Sequence, residues 1–317
     1  MKSGFFQKIK LNSIRTKMML SFFSIIILSI VSVSYISFVL FKNTMTRELT
    51  DSILNSVEQT IVNIDTILEG IDSLTVPFLG NKQIQEFLGS DISNLQDTNN
   101  FIEYVNKLAR GNPYVFNVEV YSFMKDQLIT SEYGIVRTPP DMEIYGWYTN
   151  AIKFEGASFF KETYEFTHYH RTERTNEKLV SVSRLIGENY FDTPLGVVNV
   201  SIKESVLTDI LNRIITSPLQ QVLIVNEDFK IISSSNIISD TPFIPDPKAF
   251  ENSTGYYIGK TDRGKQLVVY GTLSHAKWTI ISAMPMDEVL SDVKILEVYA
   301  AICSLVTIII GFIFTRT

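Results

Sequence analysis

Two apolar runs without a single charge, one near each end of the chain, restrict what this sequence can fold into. Residues 18–41 contain no Asp, Glu, Lys or Arg, and neither do residues 298–315, which are bounded by Glu297 and Arg316. A helix crosses the hydrocarbon core of a bilayer with about 20 apolar residues, and roughly 17 suffice. Both runs reach that length. A cleaved signal peptide accounts poorly for the first, because such peptides use an apolar region of about 7–15 residues followed by small residues. Here Val39, Leu40, Phe41, Lys42 and Asn43 offer no small-x-small cleavage site. Five basic residues and no acid precede the run: Lys2, Lys8, Lys10, Arg15 and Lys17. Short flanks of this kind stay in the cytoplasm. The expected topology has residues 1–17 inside, transmembrane helices at 18–41 and 298–315, and residues 42–297 outside a cell membrane.

Charge separates that outer stretch from its flanks. Six of the 28 basic residues lie in the flanks, whereas all 34 acidic residues lie between the runs, so the stretch is more acidic than the net charge of −6 suggests. Nucleic acid calls for a basic surface and is not an expected partner. The one cysteine, Cys303, falls inside the second run. An outer region without disulfides has to be held by its own core. Mean hydropathy is +0.13, too low for a many-spanning transporter, so the lipid bilayer is a partner at the two ends only.

Between the runs the apolar periodicity changes once. Met45, Leu49, Ile53, Val57, Ile61, Ile64, Leu68, Ile71 and Leu74 recur in steps of four and three, one stripe of a long helix. The stripe suits either a core helix or a stalk that also pairs in a homodimer. Residues 81–88 read as a short helix, 91–100 as a polar loop, and 101–110 as a helix stopped by Gly111 and Pro113. From Val115 onward β-rich segments take over. They are expected at 115–124 with 128–130, 158–170, 178–185 and 196–202, followed by a short helix to Ile215. After Ser217 and Pro218 a smaller β unit follows, at 222–225, 230–233, 255–259, 265–272 and 277–284. The fold class is α+β.

Catalytic patterns are present only in outline. Ser122 with Lys125 and Ser274 with Lys277 match Ser-x-x-Lys, but that chemistry needs the serine at a helix start, and both sites read as strand ends. His168 and His170 share a strand face near Glu165 and Glu173; polar residues of a solvated hairpin explain them without a metal. No phosphate-binding glycine loop occurs. No catalytic residue, metal or cofactor is expected.

Five segments, in order, resemble double Cache sensor domains. They are Gly146-Trp147-Tyr148-Thr149-Asn150-Ala151; residues 195–202 with Leu207; residues 222–235; residues 278–285; and residues 13–22, which are similar to the entry into the first span of sensor histidine kinases. The resemblance implies a long N-terminal helix and two PAS-like (Cache) antiparallel-sheet modules between two transmembrane helices. It divides the chain into a stalk at 42–75, a membrane-distal module at 76–217 and a membrane-proximal module at 218–290. It implies a two-component receptor whose distal module binds a small molecule. The kinase and its response regulator would be reached through cytoplasmic parts expected beyond residue 317. Chemoreceptors and membrane-bound transcription regulators share this outer architecture, and a membrane-anchored enzyme or binding protein is the reading from another class.

The same resemblance places Trp147 and Tyr148 at the pocket wall, with Tyr121, Tyr164, Arg184, Asn199 and Ser201 expected around it. Relatives that bind amino acids carry an Arg two residues before the Trp and an Asp in the closing strand; this chain has Tyr145 and Ser201 there. With neither charged partner, and unless Arg184 or Lys153 substitutes, the implied ligand is uncharged and polar, a sugar first. Cysteines introduced at Asp97 and Glu251 should react with a membrane-impermeant thiol reagent on intact cells, and one at Lys8 should not. Labelling at Lys8 would overturn the topology.

Overall fold

In the computed structural model the described residues are 14–91, 94–137, 142–166, 177–188, 193–235, 250, 252–261, 264–290, 298–299, 301–307 and 309. They fall into two compact units, Met1–Ser52 with Pro285–Thr317, and Ile53–Met284. Helix α1 (Ile14–Ser73) is continuous over 60 residues.

Within the second unit the apolar stripe of α1 is consumed by the chain's own core. Ile53, Val57, Ile61, Ile64, Leu68 and Ile71 are all buried, and Val62 is the one large apolar side chain exposed between residues 53 and 73. The packing is close enough that a methyl group at Gly271 would overlap Ile61 Cδ1. Two carboxylates anchor the same helix. Asp65 accepts the backbone N–H groups of Ser274 and His275 at 2.9 and 3.2 Å, and Asp72 accepts from Arg184 Nη2 at 2.8 Å. Between residues 53 and 71 the stripe serves as a core helix.

Three short helices follow: α2 (Pro77–Gly80), α3 (Lys82–Gly89) and α4 (Leu95–Gly111). The sequence suggests a loop through residue 100, yet α4 already starts at Leu95. The Asn94 side chain accepts the Asp97 N–H at 2.8 Å, which satisfies one orphan donor of the first turn. Asp97 there also suits the positive end of the helix. The polar residues 96–100 are therefore the opening turns of a helix, which composition alone disguises as a loop.

The larger sheet contains β1 (Val115–Ser122), β2 (Gln127–Thr130), β3 (Gly134–Arg137), β4 (Phe159–Glu165), β5 (Lys178–Glu188) and β6 (Thr193–Lys203), with α5 (Gly146–Lys153) between β3 and β4. Their order across the sheet is β3-β2-β1-β6-β5-β4. Each pair is antiparallel. Strand β3 was not expected, and residues 167–170 of the expected strand at 158–170 lie outside the described residues. Helix α6 (Glu204–Asn212) leads to the smaller sheet of β7 (Gln221–Val225), β8 (Ile231–Ser234), β9 (Thr254–Thr261), β10 (Gly264–Thr272) and β11 (Thr279–Pro285). Its order is β8-β7-β11-β10-β9. Aromatic rings fill its core: Phe250 stacks near Phe229 and meets Tyr270 edge-on at 4.3 Å.

Both faces of the larger sheet are covered. One face carries Val118, Val120, Val180, Val182, Val198, Val200 and Ile202, all without exposure. Ser122 on that face donates to the Leu88 carbonyl at 3.2 Å, which marks it as the side packed by α3. Helix α5 covers the other face along β4, β5 and β6.

In the first unit, the leading part of α1 exposes Phe22, Ile25, Leu28, Val31, Val33, Ile36 and Leu40. Among the described residues this is one helix long and apolar enough to cross a membrane. An outward apolar surface of that extent is unfavourable in water and favourable in lipid. Helix α7 (Met286–Val289) follows Pro285. Of the second apolar run, residues 298–299, 301–307 and 309 are helical with Ile302 and Leu305 outward, and the remainder lies outside the described residues.

Leu68→Ala and Ile64→Ala should each cost about 2–5 kcal/mol through lost transfer energy plus a cavity, read from the midpoint of denaturant unfolding. Val62→Ala should stay within roughly 0.5 kcal/mol. Equal losses at Val62 and Leu68 would contradict the assignment of the buried face.

Candidate ligand site on the larger sheet

Strand alternation and antiparallel register build the face under α5 as three rows. The first is apolar: Val136, Leu128, Tyr121, Val197 and Leu185 stand side by side across β3, β2, β1, β6 and β5. The second runs Thr130, Glu119, Asn199, Ser183 and Phe159. The third runs Asn117, Ser201, Ser181 and Lys161. The chain thus places polar side chains at alternate positions of its central strands and buries them.

Helix α5 sits over the apolar row. Trp147, Ala151, Met142, Tyr121, Leu128, Leu185 and Val197 form one buried cluster, with Tyr145, Tyr148, Tyr164 and Phe123 packed against it. Ser183 ties the helix to the sheet by donating to the Trp147 carbonyl at 3.0 Å. The rings meet edge to face, Tyr121 with Tyr148 at 5.5 Å and Trp147 with Tyr148 at 6.2 Å. The Tyr121 hydroxyl donates to Asp126 Oδ1 at 2.7 Å, and burial followed by this carboxylate pushes its pKa far up.

Beside the rings lies a buried polar cluster centred on Glu119, which is 2% exposed. Asn199 Nδ2 donates to Glu119 Oε2 at 2.6 Å and Asn117 Nδ2 to Oε1 at 3.3 Å. Ser201 donates to the Asn117 carbonyl at 3.2 Å. Asn199 Oδ1 and Ser181 Oγ are buried without a hydrogen bond of ordinary geometry. The Tyr164 hydroxyl lies beside both residues and interacts with each of them. Burial and then the Glu119 carboxylate raise the Tyr164 hydroxyl well above the phenol range. Tyr145 is raised by the same two causes, and Tyr148 by burial with Glu143 and Asp126. The Lys161 ammonium lies at the start of α5, where a side chain on Gly146 would meet it at 2.9 Å.

The structure brings Trp147, Tyr148, Tyr121 and Tyr164 together around α5 and sets Asn199 and Ser201 in the neighbouring polar rows. Arg184 stands apart. It follows Ser183 on β5 and so points to the opposite face, where it pairs with Asp72 of α1. Lys153 is exposed at the far end of α5. Lys161, by contrast, lies at the start of α5 on the face under that helix. Sequence reasoning missed Glu119, Lys161 and Ser181. The signal was the Asn117, Glu119, Tyr121 alternation between Val118 and Val120, which strand period places on one face.

Ser122 and Lys125 are engaged separately. Ser122 bonds to the Leu88 carbonyl, while the Lys125 ammonium is bonded to the Ser90 carbonyl and lies 4.8 Å from the Phe87 ring centre. His168, His170 and Glu173 lie outside the described residues, and Glu165 ends β4 exposed.

No family model matches the chain, and no curated protein matches it. Solved structures do. The ligand-binding domain of the Campylobacter jejuni chemoreceptor Tlp3, in complex with L-norvaline, aligns with a TM-score of 0.58 at 14% identity, covering 78% of this chain and 94% of that one. The ligand-binding domain of the Pseudomonas aeruginosa amino-acid chemoreceptor PctC, in complex with GABA, aligns at 0.54 and 16%, covering 72% and 96%. The extracellular domain of soHK1S-Z6, a protein assigned to the histidine kinases, aligns at 0.55 and 14%, covering 78% and 98%. The fold is that of Cache-type sensor domains, a long helix followed by two antiparallel sheets.

Raised phenols make stability fall at high pH. An unfolded tyrosine ionises near pH 10.0, whereas Tyr164 and Tyr121 hold their protons further up. Their contribution is complete below pH 10 and is lost as pH rises from there toward the folded values. Ultraviolet titration of the folded chain should show late-ionising tyrosines that Tyr164→Phe and Tyr121→Phe each reduce. Ionisation of every tyrosine near pH 10 would contradict their burial.

Proposed function

We propose that this chain is the sensing region of a membrane-anchored bacterial receptor, and that the face under α5 holds a small polar ligand carrying a protonated amine. The observation that carries this reading is the Glu119 carboxylate, buried at the centre of the sheet and oriented by two amides. Asn199, beside the Tyr164 hydroxyl, belongs to the same polar cluster. Tyrosine and tryptophan rings stand alongside, and their faces favour a cation. Lys161 at the start of α5 suits an anionic or hydroxyl-bearing opposite end.

Glu119 shifts the reading away from the sugar that the missing Arg and Asp imply, because a carboxylate is present after all, on a different strand. Tlp3 and PctC, similar in fold, were solved with L-norvaline and GABA, both amines, which supports the same direction. A neutral saccharide is the second reading, since Glu119 also accepts from hydroxyls and the rings also stack on sugars.

In this reading α1 crosses the membrane once, at 18–41, and 298–315 crosses back. Residues 76–217 form the distal module and 218–290 the proximal one. The distal module is where Trp147, Tyr148, Tyr121, Tyr164, Asn199 and Ser201 meet ligand. The output is a histidine kinase acting as a homodimer on a response regulator; a chemoreceptor output has equal support from the neighbours in fold. The coding sequence after residue 317 distinguishes them.

Calorimetry on the full chain in lipid nanodiscs, with L-norvaline, L-leucine, GABA, glucose and maltose as probes, tests the ligand class. Amine binding is expected, weakened about ten- to hundredfold by Glu119→Gln, the worth of one hydrogen bond to a charge. Saccharide binding without amine binding would replace the first reading by the second. Binding of an amine unaffected by Glu119→Gln would remove Glu119 from the site.

A further inference from the structure

We infer that strand β4 is the lever that couples the candidate ligand site to the smaller sheet. The inference rests on the reading of the α5 face as the ligand site, and it concerns how that site is heard elsewhere in the molecule.

The first observation is a register break. On β4 and β5, Lys161 stands opposite Ser181 and Tyr164 opposite Leu179. Three steps on β4 therefore match two on β5, one extra residue, which is a β-bulge. A bulge breaks the alternation of faces. It lets Lys161 and Tyr164 both belong to the ligand side, with Lys161 at Gly146 and Tyr164 against the aromatic cluster. The two residues between them, Glu162 and Thr163, are turned toward the smaller sheet instead.

There they make short polar contacts. Glu162 Oε1 accepts from Asn226 Nδ2 at 2.6 Å, and the Thr163 hydroxyl donates to the Ile232 carbonyl at 2.6 Å. Phe160, on the same strand, meets Trp278 edge-on at 6.4 Å. Asn226 is the residue that shapes the β7–β8 turn. Its Oδ1 accepts the Lys230 N–H at 2.8 Å, its own N–H donates to the Lys230 carbonyl, and its carbonyl accepts the Phe229 N–H. Phe229 in that turn has a φ of 60°, a left-handed conformation that a non-glycine residue adopts only when held there. Four consecutive residues thus connect the ligand side to a turn under constraint.

Two further features make β4 the element free to move. It is the edge strand of its sheet, so one side only is held by ladder hydrogen bonds. A cleft of about 330 Å³ lies at its end, lined by Thr163, Tyr164, Lys178, Glu204, Ile232 and Ser233. Close-packed interiors resist displacement, and this junction is not close-packed. A ligand that draws Tyr164 or Lys161 toward itself would carry Glu162 and Thr163 with the same backbone and strain their contacts to Asn226 and β8.

Hydrogen exchange of the full chain in lipid nanodiscs tests this without any ligand, so a failed ligand screen leaves the outcome readable. Tyr164→Ala should speed exchange of the Phe229 and Lys230 amides roughly fivefold, the net worth of about one hydrogen bond. Glu162→Ala should do the same. The double variant should exchange no faster than either single one, because both break the same connection. Leu128→Ala, which opens the same aromatic cluster from β2, should leave those amides at their original rates. If Tyr164→Ala loses near-ultraviolet dichroism, Tyr164→Leu takes its place. Unchanged hairpin exchange in a folded Tyr164 variant, or multiplying effects in the double variant, would overturn the inference.

Discussion

Every feature of the second unit depends on a six-stranded sheet that is buried on both faces. Side chains alternate across a strand, so a one-residue slip would exchange the whole of one face for the other. Here the faces differ in kind. One presents Val118, Val120, Val198, Val200, Val180 and Val182, and the other Glu119, Asn199, Ser183, Ser181 and Ser201. A slip would push a carboxylate and several amides and hydroxyls into the apolar layer, each without its partner. That cost fixes the register, and the register in turn places Glu119 opposite Asn199.

The same alternation sorts the charges. Arg184 lies one residue from Ser183 and therefore serves the other face, where Asp72 of α1 takes it at 2.8 Å with the Ser158 hydroxyl also donating to that carboxylate. The ion pair is only 14% and 21% exposed, so it is little screened, and removing either partner would strand the other charge. Its role is to seat α1 on the sheet. Asp65, one stretch earlier, seats the same helix on the turn after β10. The stripe of α1 and these two carboxylates together make the long helix part of the core of the second unit.

The smaller sheet differs in what fills it. Phe229, Phe250, Tyr257 and Tyr270 close on one another around Leu223, Val225, Val268 and Ile281. In this sheet aromatic rings fill the core, whereas buried polar rows line the face of the larger sheet under α5. The bulge in β4 is one of several register shifts in the two sheets, and Glu162 and Thr163 beside it make polar contacts to the smaller sheet.

Much of this was legible in the chain. The charge-free runs, the stripe on α1, the change from helical to strand periodicity after Pro113, and the strands on either side of Pro218 follow from side-chain spacing, which is a local property. Trp147 and Tyr148 were readable through resemblance. The start of α4 was not, because Asn94 acts through a single capping bond that composition hides. The fate of Arg184, the burial of Glu119 and the approach of Lys161 to Gly146 were not legible either. Each depends on which residue of a distant strand stands opposite, Asn199 in one case and Ser181 in another. Spacing along one strand determines that Glu119 and Tyr121 share a face. Only the pairing of β1 with β6, 80 residues away in sequence, decides that the carboxylate meets an amide in a dry interior, because hydrogen-bond partners are set by register in space and not by order in the chain.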